Sequence, residues 1–262
     1  MRSVRNQIGR LHPLRLAAIS DIHGNAVAFE AVINDLRRQS PDAILCLGDI
    51  VMRGPQPKEC VDMLRALNPL VTVRGNFDHR FTRWPGPTWS PKTYKDELML
   101  RDFEFTCAEL PQTDQLWLSN LPVEFSTQIE GQGIELYHAA PGSLGQYTWP
   151  WAPVEELGKL RQGERSALVL FGHMHHAFVR SAKGFTVVNT GSVGLPFDGD
   201  PRPSYVIIDM DRTDMAVQIR RVAYDREAAI QIARSRSMPD IEVFEYALRH
   251  ADYPYAAPVA ST

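Results

Sequence analysis

Two short segments of this 262-residue sequence carry paired metal-ligand side chains: Ser20-Asp21-Ile22-His23-Gly24-Asn25 and Phe171-Gly172-His173-Met174-His175. Between them stand Gly48-Asp49, Gly75-Asn76-Phe77-Asp78 and a lone His138. Each of Asp21, His23, Asp49, Asn76, His138, His173 and His175 lies at or just after the end of an apolar run. Imidazole, carboxylate and amide groups form a ligand set of intermediate hardness that suits divalent cations. Two such cations roughly 3.5–4 Å apart can clamp the attacking and leaving oxygens of a phosphoryl displacement, with a carboxylate between them to offset their repulsion. On an extended segment residues i and i+2 point the same way. Asp21 can therefore share a site with His23, and His173 with His175, if their loops stay extended. Glycines beside the ligands let the backbone turn where side chains crowd.

The elements that must carry these residues follow from the apolar runs. Residues 14–20, 43–47 and 70–73 are predicted strands, with amphipathic helices over 26–38 and 58–67. This is a βαβαβ unit, hence a mostly parallel sheet whose ligands collect at the carboxyl ends of the strands. Helices over 95–110 and 114–120 make residues 81–122 a helical cap insertion, expected to lie over the site within a single domain. Trp84, Trp89 and Trp117 can face a substrate from there, though packing of the insertion onto the core is the favoured role. The second half is mostly strand, over 123–128, 133–138, 167–171, 177–181, 185–189, 204–209 and 216–222, with helices over 154–160 and 225–235. Such a chain gives an α/β fold of two mixed sheets packed face to face with helices outside. The first dozen residues read as a loose leader, and 253–262 as a mobile tail.

The bulk numbers exclude other classes. A net charge of −3 argues against binding duplex nucleic acid by charge. Three scattered cysteines make neither a disulfide framework nor a CxxC zinc site and suit a reducing cytosol. No apolar stretch approaches the length of a signal core or a membrane span, so a soluble cytoplasmic protein is expected. Gly142-Ser143 lacks the surrounding G-x-S-x-G of a nucleophile elbow, and Asp198-Gly199-Asp200 lacks the spacing of a calcium loop. His12, His176 and His250 fall outside the ligand set.

In their order, Asp21-Ile22-His23-Gly24, Gly48-Asp49, Gly75-Asn76-Phe77-Asp78, His138 and Gly172-His173-Met174-His175 resemble the motifs of the calcineurin-like metallophosphoesterases, over about residues 14–210. Asp21-Ile22-His23-Gly24-Asn25 and Asn189-Thr190-Gly191-Ser192-Val193-Gly194-Leu195-Pro196 are most similar to the small bacterial phosphodiesterase branch. The resemblance implies a four-layer α/β/β/α sandwich. It implies that Asp21, His23 and His175 hold one metal, that Asn76, His138 and His173 hold the other, and that Asp49 bridges them. It also implies two divalent ions, Mn first and Fe, Zn, Ni or Co as alternatives, with a hydroxide on them as nucleophile.

One position departs from the family. A histidine that assists the leaving group is common where this chain has Phe77, which has no proton to give. His79, with Asp78 orienting it, is the candidate substitute. Losing a general acid costs about 10²–10⁴ in rate, which favours cyclic or activated diesters. Arg53, in Gly48-Asp49-Ile50-Val51-Met52-Arg53-Gly54, resembles the phosphate-gripping arginine of the serine/threonine phosphatase branch, although Met52 replaces that segment's aspartate. Arg53 and Asn76 are thus candidate substrate contacts, with Arg74 a weaker one. The expected function is a phosphodiesterase for small nucleotide-type esters. A phosphomonoesterase or protein phosphatase is the enzymatic alternative. A non-catalytic scaffold is the alternative of another class, and the complete ligand set argues against it.

Overall fold

The computed structural model describes residues 13–82 and 90–254. The leader, the loop holding Trp84 and Trp89, and residues 255–262 of the tail lie outside the described residues. In chain order the elements are β1 (Leu14–Ile19), α1 (Ala26–Gln39), β2 (Ala43–Cys46), α2 (Pro57–Leu67), β3 (Val71–Thr72), a 3-10 turn (Asp78–Thr82), α3 (Tyr94–Glu109) and α4 (Gln112–Ser119). Then come β4 (Glu124–Ile129), β5 (Gln132–Tyr137), α5 (Val154–Gly158), β6 (Ser166–Phe171), β7 (Phe178–Ala182), β8 (Phe185–Asn189), β9 (Ser204–Met210), β10 (Met215–Arg221), α6 (Arg226–Ser235) and α7 (Ile241–His250).

They form two five-stranded mixed sheets, ordered β10-β9-β1-β2-β3 and β4-β5-β6-β8-β7. β1, β2 and β3 run parallel, as do β5, β6 and β8, while the outer strands pair antiparallel. Alternation along β1 explains the layering. Leu16 and Ala18 point between the sheets and meet Ile134, Leu136, Leu168 and Leu170. Ala17 and Ile19 point outward into a core shared with Phe29, Val32 and Leu36 of α1. The far face of the second sheet is covered more thinly, where Val169 and Phe171 pack with Leu157 and Leu160 in and beyond α5. The result is the expected four-layer α/β/β/α sandwich.

Local chemistry sets the boundaries. Asn25 caps α1 by accepting from the Ala28 amide at 3.1 Å, and Ser40 ends it in a left-handed conformation. Pro57 begins α2, where a missing amide proton removes nothing from the helix ladder. Thr93 and Asp96 form a reciprocal capping box at the start of α3. β3 is shorter than expected, although the flanking amides of Leu70 and Val73 still donate to the carbonyls of Ile44 and Cys46 at 2.8 and 2.9 Å.

Two other differences matter. α7 follows Pro239 and was not expected; its Phe244, Ala247 and Leu248 pack on Ala229, Ile230 and Ala233 of α6. Tyr253, expected in a loose tail, is anchored: its ring stands edge-on to Phe197 at 5.6 Å, and its hydroxyl lies 2.8 Å from Lys95 Nζ. α3 buries Met99 and Phe103 in the core it shares with α2, and Trp117 of α4 packs there beneath Arg65. Among the described residues no helix is long and apolar enough to cross a membrane.

Candidate metal centre

Every ligand-bearing segment leaves the carboxyl end of a parallel strand. Asp21 follows β1, Asp49 follows β2, Asn76 follows β3, His138 ends β5 and His173 follows β6. The segments meet as two compact groups, Asp21 with His23 and His175, and Asp49 with His138 and His173. Within each group one ligand atom per residue lies within 4.8 Å of the others. Asn76 joins the second group, one end of its side-chain amide lying 2.9 Å from His138 Nε2, 2.9 Å from His173 Nδ1 and 3.3 Å from Asp49 Oδ2. Asp49 Oδ2 stands between the groups, 3.3 Å from His138 Nε2 and 3.8 Å from His23 Nε2.

His173 and His175 therefore do not share a site: they split between the groups. The reason is backbone conformation. Asp21, His23, Asp49, His173 and His175 all have positive φ, between 49° and 64°. Their loops are tight left-handed turns instead of extended segments, so the period-two rule governs neither pair, and the path of each loop decides which residues meet. Holding non-glycine residues there costs about 1 kcal/mol or more each, a strain that packing around a functional site sustains. The packing is close. A Cβ on Gly172 would lie 1.9 Å from Ser20 Oγ and 2.5 Å from Asp21 Oδ2, and one on Gly75 would lie 2.0 Å from Asp49 Oδ1. Asp21 is further clamped by the segment after β8: the amides of Val193 and Gly194 donate to the carbonyls of Ser20 and Asp21 at 3.0 and 2.9 Å.

The protonation pattern suits cations. His23 and His175 each direct Nδ1 at a backbone carbonyl, that of Met52 and of Leu195 respectively. Their Nε2 atoms then carry bare lone pairs, and these face each other 3.1 Å apart with Asp21 Oδ1 beside them. Neither ring can donate to the other without giving up its carbonyl. Among the described residues Asp21 Oδ1 and His173 Nε2 are buried without a hydrogen-bond partner. Such an array of buried acceptors repels itself unless positive charge lies among them. Burial, reinforced by neighbouring histidines, holds His23 well below its ordinary pKa and His173 down to about 4, so both are neutral donors at pH 7. Burial works against ionised Asp21 and Asp49, yet the adjoining histidines hold both below the usual carboxylate value. Burial likewise opposes a charged His138, but Asp49 beside it prevails and raises it to about 9. The donor set fits divalent ions.

The remaining candidates fall around this centre. Phe77 donates its amide to Asp49 Oδ1 at 2.8 Å and sets its ring edge-on to His23 at 5.3 Å. Asp78 is fully buried and accepts from the amides of Asp49, Ile50 and Gly75 at 2.8, 3.1 and 3.0 Å. His79 lies in the 3-10 turn, with Nδ1 3.2 Å from Thr82 Oγ1. Arg53 is only 7% exposed, its guanidinium 5.6 Å from the Phe77 ring and 5.2 Å from the Phe197 ring. Arg74 instead turns to α4 and donates to the Ser119 carbonyl.

Two contributors escaped the sequence reading. Phe197 stacks on His175 at 4.4 Å and 12°, and Asp102 of α3 accepts from the Arg53 amide with both oxygens at 2.9 and 3.0 Å. Leu195-Pro196-Phe197 was legible as an apolar end to a motif, but nothing in the sequence links position 102 to position 53.

Burial raises Asp102 to about 6. Its unfolded value is near 3.9, so the folded chain binds more protons between about pH 4 and pH 6. Stability from this group is therefore highest at acid pH and falls as pH rises through that window, by up to about 3 kcal/mol. Measured against Asp102→Asn by urea unfolding at pH 4 and pH 7, the wild-type chain is expected to lose ground as pH rises. A pH-independent difference would show that the buried carboxyl is not strained.

Residues 14–213 match the calcineurin-like phosphoesterase superfamily domain, and the chain belongs to that superfamily, whose members use a dinuclear divalent metal centre. It is 30% identical over 253 residues to the uncharacterized protein MJ0912 of Methanocaldococcus jannaschii, covering 86% of this chain and 94% of that one. Among solved structures, a metallophosphoesterase from Sphaerobacter thermophilus is 26% identical with a TM-score of 0.70, covering 90% of this chain and 99% of that chain. The hypothetical protein PH1004 from Pyrococcus horikoshii OT3 shares the fold at 19% identity and a TM-score of 0.77, over 91% of this chain and 99% of that one.

Proposed function

We propose that this chain is a dimetal phosphoesterase that favours small nucleotide-type phosphodiesters, cyclic or with a good leaving group. The observation that carries this reading is the abutment of two buried ligand groups with the Asp49 carboxylate facing both. Asp21, His23 and His175 would hold one ion, and Asn76, His138 and His173 the other, with Asp49 shared. Bound there, divalent cations lower the pKa of water and neutralise charge on phosphate oxygens.

The chain's own residues supply the rest. Carbonyl partners on Nδ1 of His23, His138 and His175 orient each ring with Nε2 toward the centre, where a cation would take the place of the proton that Asp49 holds on His138. Arg53, seated between Phe77 and Phe197, supplies a fixed positive charge for a non-bridging phosphate oxygen. Phe77 supplies no proton to a departing alkoxide, which is why esters of acidic alcohols or strained rings are preferred. A second reading, phosphomonoesterase, draws on the same Arg53, whose guanidinium suits a terminal phosphate.

The test is turnover of bis-p-nitrophenyl phosphate, p-nitrophenyl phosphate and 2′,3′-cyclic nucleotides by protein loaded in turn with Mn, Fe, Zn, Ni and Co. Diester hydrolysis above monoester hydrolysis is expected. The reverse order would favour the second reading, and no turnover with any ion would remove both.

A further inference from the structure

After Ser143 the chain runs outward as Leu144-Gly145-Gln146-Tyr147-Thr148-Trp149-Pro150-Trp151 and presents three rings in a row. Tyr147 lies nearly parallel to Trp149, with centroids 6.3 Å apart and planes at 15°, and Trp149 nearly parallel to Trp151, at 5.1 Å and 10°. Tyr147, Trp149 and Trp151 are 58%, 39% and 72% exposed. Three large aromatic side chains stacked in series and exposed to water are unusual for a surface that has no use for them.

The row is held in place. Thr148, between two of the rings, is buried, as is Ala152 just beyond them. Arg180 of β7 donates to the carbonyls of Pro150 and Ala152 at 3.0 and 2.5 Å, and the Ala152 amide donates to the Trp149 carbonyl at 2.9 Å. His176 sets its ring edge-on to both Trp149 and Trp151, at 5.5 and 6.5 Å. These contacts brace the rings in the orientation that leaves them exposed.

The row also begins at the ligand cluster, since the Tyr147 ring centroid is 5.2 Å from that of His173. Cationic and aromatic groups flank the other ligand group. Phe197 stacks on His175, Arg53 lies over Phe197, and Tyr253 joins Phe197 to Lys95. A ligand with phosphate between the ligand groups and Arg53, and a flat ring extending past His173, would match both sides.

We propose that Tyr147, Trp149 and Trp151 form a shelf on which the nucleobase of the ester stacks, so that the base selects nucleoside esters over plain alkyl esters. This rests on the phosphodiesterase reading above. Stacking suits a base because every base offers a π-face, and losing an aromatic platform of this kind typically lowers affinity by about tenfold.

The test uses two diesters with one leaving group, p-nitrophenyl thymidine 5′-phosphate and methyl p-nitrophenyl phosphate, which differ only in the retained alcohol. The wild-type chain is expected to prefer the thymidine ester, and Trp149→Ala or Trp151→Ala to cut the ratio of the two kcat/KM values by about tenfold. Trp149→Phe is expected to keep most of the preference. Calorimetric titration supplies a second readout: thymidine 5′-phosphate is expected to bind the wild-type chain more tightly than ribose 5-phosphate, a margin that Trp149→Ala removes.

Unchanged ratios and margins in both alanine variants would overturn the shelf while leaving the hydrolase reading intact. Absence of all hydrolysis, with the calorimetric margin still present and still dependent on Trp149, would overturn the hydrolase reading and leave the shelf. A wild-type dimer that Trp151→Ala dissociates, with no change in ester preference, would make the row a contact between copies of the chain and end the proposal.

Discussion

Asp49→Asn is expected to abolish most metal-dependent hydrolysis, lowering kcat/KM by about 10³ or more, the scale on which a single electrostatic stabiliser is lost. The choice of asparagine matters. Asp49 Oδ1 accepts from the Phe77 amide, a bond that an amide oxygen can keep, whereas Oδ2 faces His23 and His138 and is the part whose charge is removed. The folded chain should therefore persist while divalent-ion content falls below two per chain, as measured by elemental analysis after gel filtration. In the metal-free state Asp49 is the partner that keeps buried His138 charged, so the variant is expected to be somewhat less stable than wild type and its His138 to lose its proton more readily. Full activity with two ions bound would remove Asp49 from its shared role and with it the geometry of the centre.

Asp78→Ala should act on folding more than on chemistry. The carboxylate gathers the amides of Asp49, Ile50 and Gly75, and so ties the loop after β2 to the loop after β3. Removing it strands three buried donors, each worth about 1–3 kcal/mol, for a total of about 3–5 kcal/mol once water relieves part of the loss. Asp78→Asn keeps an acceptor and should lose about half as much. Urea midpoints of the two variants check this. An Asp78→Ala chain as stable as wild type but inactive would instead support Asp78 as a partner of His79 in proton transfer.

Much of the first sheet was legible because its strands and helices alternate with short links, each strand a run of four to six apolar positions closing on a polar motif. The ligands were legible for the same reason: a histidine or aspartate that ends such a run must emerge at the sheet's edge. What could not be read was how the loops turn. His173 and His175 divide between the groups while Asp21 and His23 share one, although all four have left-handed backbone, so the division comes from the packed path of each loop and not from residue type. Long-range supports such as Asp102 under Arg53, and Phe197 on His175, come from packing between segments far apart in sequence. The aromatic row was passed over in favour of Trp84, Trp89 and Trp117, because exposure is a property of the folded surface. α7 had a readable stripe at Ile241, Phe244, Ala247 and Leu248, and was overlooked beside its short length.

The segment Gly172-His173-Met174-His175-His176 joins three tasks in five consecutive residues. His173 belongs to one ligand group, His175 to the other, and His176 abuts Trp149 and Trp151. With so little slack between them, displacement of the rings would be felt at the spacing of the ions. Recognition and turnover would then share one mechanical part, and a lineage could not easily retune its choice of ester without also retuning its speed.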